Sequence, residues 1–294
     1  MAPMLIGLTI FTFVPIIWGF LISLSNARNT VSISDFVGLN NYRDILRDDQ
    51  FRRSLRTIVI FTAGVVPLTF AFSLGLAMLV NTIGFGRSIF RTIFFIPTAI
   101  SYVIASLVWR MGIFNGLFYG VANTILYEWF HYDKTISWIS PRPDDPPWYW
   151  LVLISVRLWL QVGFYMIIFV AGLQEIPKEL YEAVYVDGGR PGWRTFRDIT
   201  LPLLRNTSIA VLLLNFIAAF QAFDEFMNIF GSTGASAGNL SLARPPLVYL
   251  YQIGISNQNY GVASAGSFIL VAIIIFVTLV QGKIFGFGRS TASS

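Results

Sequence analysis

The chain contains no cysteine, and its only histidine is His131. The missing cysteine excludes a disulfide scaffold, a thiol nucleophile and a thiolate metal site. A lone histidine in a polar loop reads as a solvated side chain rather than a ligand or a catalytic base. Charge is also scarce. Charged residues make up 12% of the sequence, against about 25% in soluble domains, so most of the length has no water to face. Lysine occurs only at Lys134, Lys178 and Lys283, and the net charge of +5 therefore rests on arginine. In so apolar a chain that excess meets lipid headgroups, acidic partner surfaces or an anionic solute rather than nucleic acid, for which there is no motif. No Gly-x-x-x-x-Gly-Lys-[Ser/Thr] phosphate cradle occurs either.

What is abundant is apolar sequence: 55% hydrophobic, 16% aromatic, with mean hydropathy +0.66. A helix needs about 20 apolar residues to cross the hydrocarbon core of a bilayer. Six segments qualify: 4–24, 57–80, 93–113, 149–172, 207–230 and 262–285. In lipid every backbone N–H and C=O must be satisfied within the segment, so continuous runs of this length read as helices. A β-barrel would show alternating segments of about ten residues instead. Residues 1–25 lack the basic start of a signal peptide, and their apolar run is too long for one. The expectation is an all-α integral membrane protein with six transmembrane helices, forming a single domain over 1–294.

Six crossings place both termini and the second and fourth connections on one side. Basic residues do not choose that side, since the even connections with the C-terminus carry nine and the odd connections ten. The third connection contains Pro141-Arg142-Pro143-Asp144-Asp145-Pro146-Pro147, which cannot be helical.

The fourth connection, 173–206, is the most informative. Ile176-Pro177-Lys178-Glu179-Leu180 opens well as a helix: Pro177 sits where its missing N–H costs nothing, and an acid in the first turn favours the dipole. From Lys178 to Asp187, the residues Leu180, Ala183 and Val184 share one face, and Tyr181 and Tyr185 a neighbouring one. Gly188-Gly189 stops the helix and Pro191 prevents its resuming. A second helix is expected from Trp193 through Asp198 to Leu201-Pro202. A short amphipathic helix of this kind either lies on the headgroups or docks a partner at the membrane edge.

The segment Glu182-Ala183-Val184-Tyr185-Val186-Asp187-Gly188-Gly189, followed by Ile199-Thr200-Leu201-Pro202, resembles the EAA motif of permease subunits of binding-protein-dependent ABC importers. Val184 stands where a second alanine is usual, and the interval from glycine to Leu-Pro is one residue longer than usual. Other landmarks are similar to the carbohydrate-uptake subfamily, of the maltose and glycerol-phosphate type. They are Gly38-Leu39-Asn40-Asn41-Tyr42, Arg91-Thr92 with Phe95-Ile96-Pro97, Gly172-Leu173-Gln174, Phe223-Asp224, Tyr249-Leu250-Tyr251 and Tyr260-Gly261-Val262-Ala263-Ser264-Ala265. The usual turn after the fifth span is replaced by Gly231-Ser232-Thr233-Gly234.

The resemblance implies the type I importer permease fold, with the fourth connection as a cytoplasmic coupling helix seated on an ATPase. It assigns coupling to Glu182, Ala183, Asp187, Gly188, Leu201 and Pro202. It implies cytoplasmic termini in a bacterial or archaeal plasma membrane. The implied partners are a second homologous permease, two ATP-binding subunits that hold ATP and magnesium, and an extracytoplasmic solute-binding protein. No cofactor, metal or catalytic residue is expected in this chain. The solutes handled by the subfamily are sugars, oligosaccharides, polyols and glycerol phosphates.

Ionisable groups inside a membrane are expensive and mark functional candidates. Arg157 and Gln161 lie one turn apart in the fourth apolar run; Asn215, Gln221 and Asp224 lie in the fifth. They are the candidate substrate path. The competing reading is structural, with Arg157 paired to Asp224 or Glu225, or to a carbonyl of a partner subunit. A self-sufficient secondary transporter is the alternative function, and it would need acids or histidine at mid-membrane. An intramembrane enzyme would need a catalytic constellation, which the one histidine in a loop does not supply.

Overall fold

The computed structural model describes residues 2–33, 35–116, 120–140, 145–186, 188, 190, 192–231 and 243–285. Asp187, Gly189, Pro191, residues 141–144 of the proline-rich stretch, and Ser232, Thr233 and Gly234 lie outside them. Among the described residues the regular secondary structure is helical, and isolated bridges pair Ser25 with Phe36 and Arg28 with Asn259.

Helix α1 (Ala2–Ser23) is followed by a short α2 (Asn40–Arg47) and the long α3 (Asp49–Thr82). The Asp48 carboxylate caps α3, accepting from the N–H groups of Gln50 and Phe51 at 2.6 and 3.3 Å. At 34 residues and about 1.5 Å per residue, α3 is roughly 50 Å long. Its two ends therefore lie at opposite faces of the molecule. At the far end Arg87 donates to the carbonyls of Asn81 and Ile83 at 2.7 and 3.1 Å, satisfying acceptors that the helix end leaves free.

The third apolar run is not one straight helix. It forms α4 (Arg87–Ala99) and α5 (Tyr102–Ile113), bent by 91°. Pro97 lies in the tight final turn of α4, and the Ser101 hydroxyl caps α5 by accepting from Val103 N at 3.3 Å. Helix α6 (Val121–Phe130) fills part of the third connection. Helix α7 (Tyr149–Gln174) packs along α3 and is the most buried of the long apolar helices. Gly163 lies where α7 crosses the α4 break, and a Cβ there would sit 1.8 Å from the carbonyl oxygen of Phe94. Hydroxyls complete the crossing: Thr98 donates to Leu160 O and Ser73 to Val162 O, each at 3.0 Å.

Beyond α7 come α8 (Lys178–Val186), α9 (Trp193–Leu203) and α10 (Arg205–Phe220), with a 73° bend between the last two. The fifth apolar run is interrupted again at Gln221–Phe223 before α11 (Asp224–Phe230). Helix α12 (Pro246–Tyr251, continuing as a wide turn over Gln252–Ser256) precedes α13 (Tyr260–Phe285). Among the described residues four helices, α1, α3, α7 and α13, are each long and apolar enough to cross a membrane; the bent pairs α4–α5 and α9–α10 bring the total to as many as six.

The main core joins α3, α5, α7, α10 and α11 through residues such as Phe61, Val65, Leu153, Val156, Phe226 and Phe230. Phe61 meets Phe226 edge to face at 4.9 Å. A second core, including Leu74, Met166, Phe169 and Leu204, lies toward the α8 end of α3 and α7. By contrast α1 buries only Ile22 and Ser23, leaving Phe11 82% exposed, and on α13 Phe276 is 66% exposed. An apolar surface of this extent belongs against lipid or another chain.

Candidate functional site

At one face the end of α3 meets α8 and α9. The expected helix after Pro177 is present and ends at Val186. Gly188 follows with φ +83°, a left-handed conformation that glycine adopts without strain. The two faces of α8 have different surroundings. Tyr181 is turned inward, its hydroxyl 3.0 Å from Thr200 Oγ1, and with Tyr185 it lines a cavity of about 440 Å³ shared with Leu79, Thr82, Leu173 and Phe196. Leu180 and Ala183, from the expected apolar stripe, are turned to the exterior, as are Glu182, Val186, Leu201 and Pro202. Trp193 stands 74% exposed at the start of α9. The loop is tied back by Thr195, whose hydroxyl donates to Arg190 O at 2.8 Å. The result is a braced platform of apolar and acidic groups that no other described residue covers. Five of the six residues assigned to coupling are described, and all five lie on this platform; Asp187 is outside the described residues.

The candidate path residues divide into two groups. Arg157 is only 5% exposed and fully engaged. Its Nη1 donates to Glu225 Oε1 at 2.8 Å, its Nη2 to the carbonyl oxygen of Ala218 at 2.5 Å, and its Nε to Gln161 Oε1 at 3.1 Å. The guanidinium also lies over the ring of Tyr102, 5.0 Å from its centre. Glu225 is 1% exposed. Asn215 is buried nearby and donates to Val66 O at 3.3 Å, one residue before the helix-interior Pro67, while its own carbonyl oxygen has no partner. Gln221 and Asp224, at the interruption between α10 and α11, are exposed. Of the two acids weighed as partners for Arg157, the structure selects Glu225. The sequence signal was the requirement that a buried arginine find a carboxylate; only helical phase separates Glu225 from its exposed neighbour.

Phe223, within the interruption, packs edge-on to Tyr251 at 5.4 Å. It also lines a largely apolar cavity of about 530 Å³ with Gly19, Tyr251, Ser264 and Phe268. Neither the cavity nor α12, which forms one wall, was expected from sequence. A Pro-initiated helix of so few residues is too short for its periodicity to stand out.

At the opposite end of α3, the first and fifth connections are cross-tied. Asn41 donates to the carbonyls of Ser23 and Ser25, both at 2.9 Å. Tyr249 donates to Asp48, and Arg244 bonds Gln50 and Gln252 while lying 4.6 Å over the Tyr249 ring. Burial, reinforced by the adjoining Asp48 carboxylate, pushes the Tyr249 phenol above its usual range; burial alone draws Arg244 down. Among the described residues no three His, Asp or Glu side chains come together as a metal site.

Comparisons with known proteins agree with this geometry. Residues 124–285 match the family described as the binding-protein-dependent transport system inner membrane component. The sn-glycerol-3-phosphate transport system permease protein UgpA of Agrobacterium fabrum is 36% identical over 253 residues, 84% of this chain and 80% of its own. The probable ABC transporter permease protein YesP of Bacillus subtilis is 31% identical over 285 residues, 96% of this chain and 87% of its own. The fold is shared with a chain of a bacterial ABC transporter involved in the import of the acidic polysaccharide alginate. That match has a TM-score of 0.82 and 21% identity, covering 98% of this chain and 94% of that one. A helical chain with several membrane-length apolar helices and this family match is an integral protein of the inner membrane, a permease and not an enzyme. It belongs to the family of inner membrane components of binding-protein-dependent transport systems.

Proposed function

We propose that this permease takes up a sugar or sugar-like solute, delivered by an extracytoplasmic binding protein. In this reading the chain is a single domain over 1–294 that crosses the membrane six times with both termini cytoplasmic, beside a second homologous permease. Two partner subunits bind ATP and magnesium and supply the hydrolysis. The observation that carries the reading is the uncovered α8–α9 platform. Its exposed residues Glu182, Ala183, Gly188, Leu201 and Pro202, with Asp187, form the coupling surface, and the Tyr181–Thr200 contact lets α8 and α9 move as one rigid lever. Gln221 and Asp224 offer polar groups to a solute at the interruption of the fifth span, with Arg157, Gln161 and Asn215 in the wall behind them. An anionic sugar or polyol suits a chain whose net charge rests on arginine, and two similar proteins are named for anionic cargo: sn-glycerol 3-phosphate for one and the acidic polysaccharide alginate for the other.

A proton- or sodium-coupled carrier fits less well. Among the described residues the acid buried in this core is Glu225, and it is paired with Arg157. The test is purification of the chain from its native membrane in mild detergent, with ATP hydrolysis assayed in the eluate. An ATPase and a second permease should co-purify, and Glu182→Lys should release the ATPase. A chain that purifies alone and moves solute in liposomes without ATP would falsify the reading.

A further inference from the structure

The interruption between α10 and α11 has no local cause. Sharp breaks in helices trace to proline, to glycine and serine pairs, to wide turns, or to a side chain inserted into the hydrogen-bond ladder. Ala219-Phe220-Gln221-Ala222-Phe223 contains neither proline nor glycine, and alanine and glutamine favour a continuous helix. The inserted side chain is that of Arg157. In a continuous helix Ala218 O would accept from Ala222 N; here it accepts from Arg157, and Ala222 N turns to Ala219 O at 3.2 Å.

The two charges of the ion pair then sit where the broken helices favour them. The guanidinium lies at the C-terminal end of α10, where carbonyl oxygens point out. Glu225 lies in the first turn of α11, where N–H groups do. The break exposes the dipole ends that hold the pair, and the pair occupies the carbonyl whose release makes the break. The broken span and the closed pair are therefore mutually dependent, and the alternative to both is a continuous helix with the pair open. Phe223 connects this choice to a cavity. In the broken form it packs on Tyr251 and walls the 530 Å³ space against α1 and α13.

We infer that Arg157 and Glu225 are positioning residues for transport: the closed pair holds the fifth span broken at Gln221–Phe223 with Phe223 in the cavity wall, and its opening lets the span straighten and withdraws Phe223. The inference rests on the reading of the chain as a solute permease that works with ATP-binding partner chains.

The natural absence of cysteine permits the test. Ser264→Cys places one thiol in the wall of that cavity, and its rate of modification by a small charged thiol reagent is measured in the resting, nucleotide-free complex purified with its partner chains. The decisive variant is Arg157→Met with Glu225→Leu, which removes both charges together and leaves neither ion unpaired. The double variant should assemble with its partners, shift the modification rate about tenfold, and lose about tenfold or more of transport in liposomes. Glu225→Asp, which preserves the pair, should keep the wild-type modification rate. Three results would each overturn the inference. If the double variant transports and reacts like wild type, the pair is dispensable. If transport falls while the modification rate stays the same, the pair acts on solute and not on the break. If the double variant fails to assemble, the pair serves the fold alone.

Discussion

Two apolar runs of this permease are broken, and they are broken for different reasons. The third, between α4 and α5, carries its instructions locally. Pro97 removes a donor, Ser101 restarts the next helix as its cap, and Gly163 on α7 admits the bent backbone. The fifth, between α10 and α11, has none of these. It is held by one arginine from α7 that reaches a backbone carbonyl and a carboxylate on either side of the gap. The first break is specified several times over, whereas the second depends on a single tertiary interaction. Redundant local specification suits a fixed feature of the fold. Dependence on one pair suits a feature that changes.

The comparison is broken most severely at the fifth span. Glu225→Gln leaves the Arg157 guanidinium buried without its counter-charge, and removing one partner of a buried pair costs about 3–5 kcal/mol. Thermal unfolding of the purified complex should show a large loss. The Arg157→Met, Glu225→Leu double variant should recover most of it, since a matched apolar pair avoids the desolvation of either charge. Equal losses in the single and double variants would mean that packing volume, and not charge, holds the site.

Next in size is Gly163→Ala. Its Cβ would meet the Phe94 carbonyl oxygen at 1.8 Å, and that neighbour is backbone rather than the end of a flexible side chain. Relief requires α4 and α7 to separate, at a cost of about 1–3 kcal/mol or more. Measured by the same thermal assay, an unchanged midpoint would show that the third break tolerates more movement than its three supports imply.

The legibility of the molecule in its sequence follows the same division. The four uninterrupted apolar helices, helix α8 and its end before Gly188 are all written in runs, periodicity and punctuation that extend over neighbouring residues. For the third run, Pro97 was visible among the landmarks, but its 91° consequence was not, because a proline inside an apolar helix is equally compatible with a mild kink. Pro67 in the unbroken α3 is an example. The fifth interruption was illegible in its own segment, since its cause is Arg157, some sixty positions earlier. The cross-tie of Arg244, Tyr249 and Asp48 was missed for the same reason: its members come from connections far apart in the chain. The residues named from the motif lie at exposed positions of α8 and α9 where they are described, but that Tyr181 turns inward to Thr200 while Leu180 and Ala183 stay exposed depends on tertiary placement.

The smallest effects belong to the local supports of the third break taken one at a time. Ser101→Ala removes a cap and should cost about 1 kcal/mol. Pro97→Ala should cost about 0.5–1 kcal/mol, mostly by releasing conformational freedom in the unfolded chain. Neither should straighten the span. With Pro97 replaced, Thr98 still donates to Leu160 O and the bent backbone still fits over Gly163; with Ser101 replaced, Pro97 still interrupts the ladder. The check is a pair of spin labels, one on α4 and one on α5, whose separation reports the bend. Each single variant should retain the wild-type distance, whereas an open pair at the fifth span should lengthen the corresponding distance between α10 and α11. If Pro97→Ala alone straightens the third span, its break is as singly supported as the fifth, and redundancy ceases to distinguish the fixed bend from the moving one.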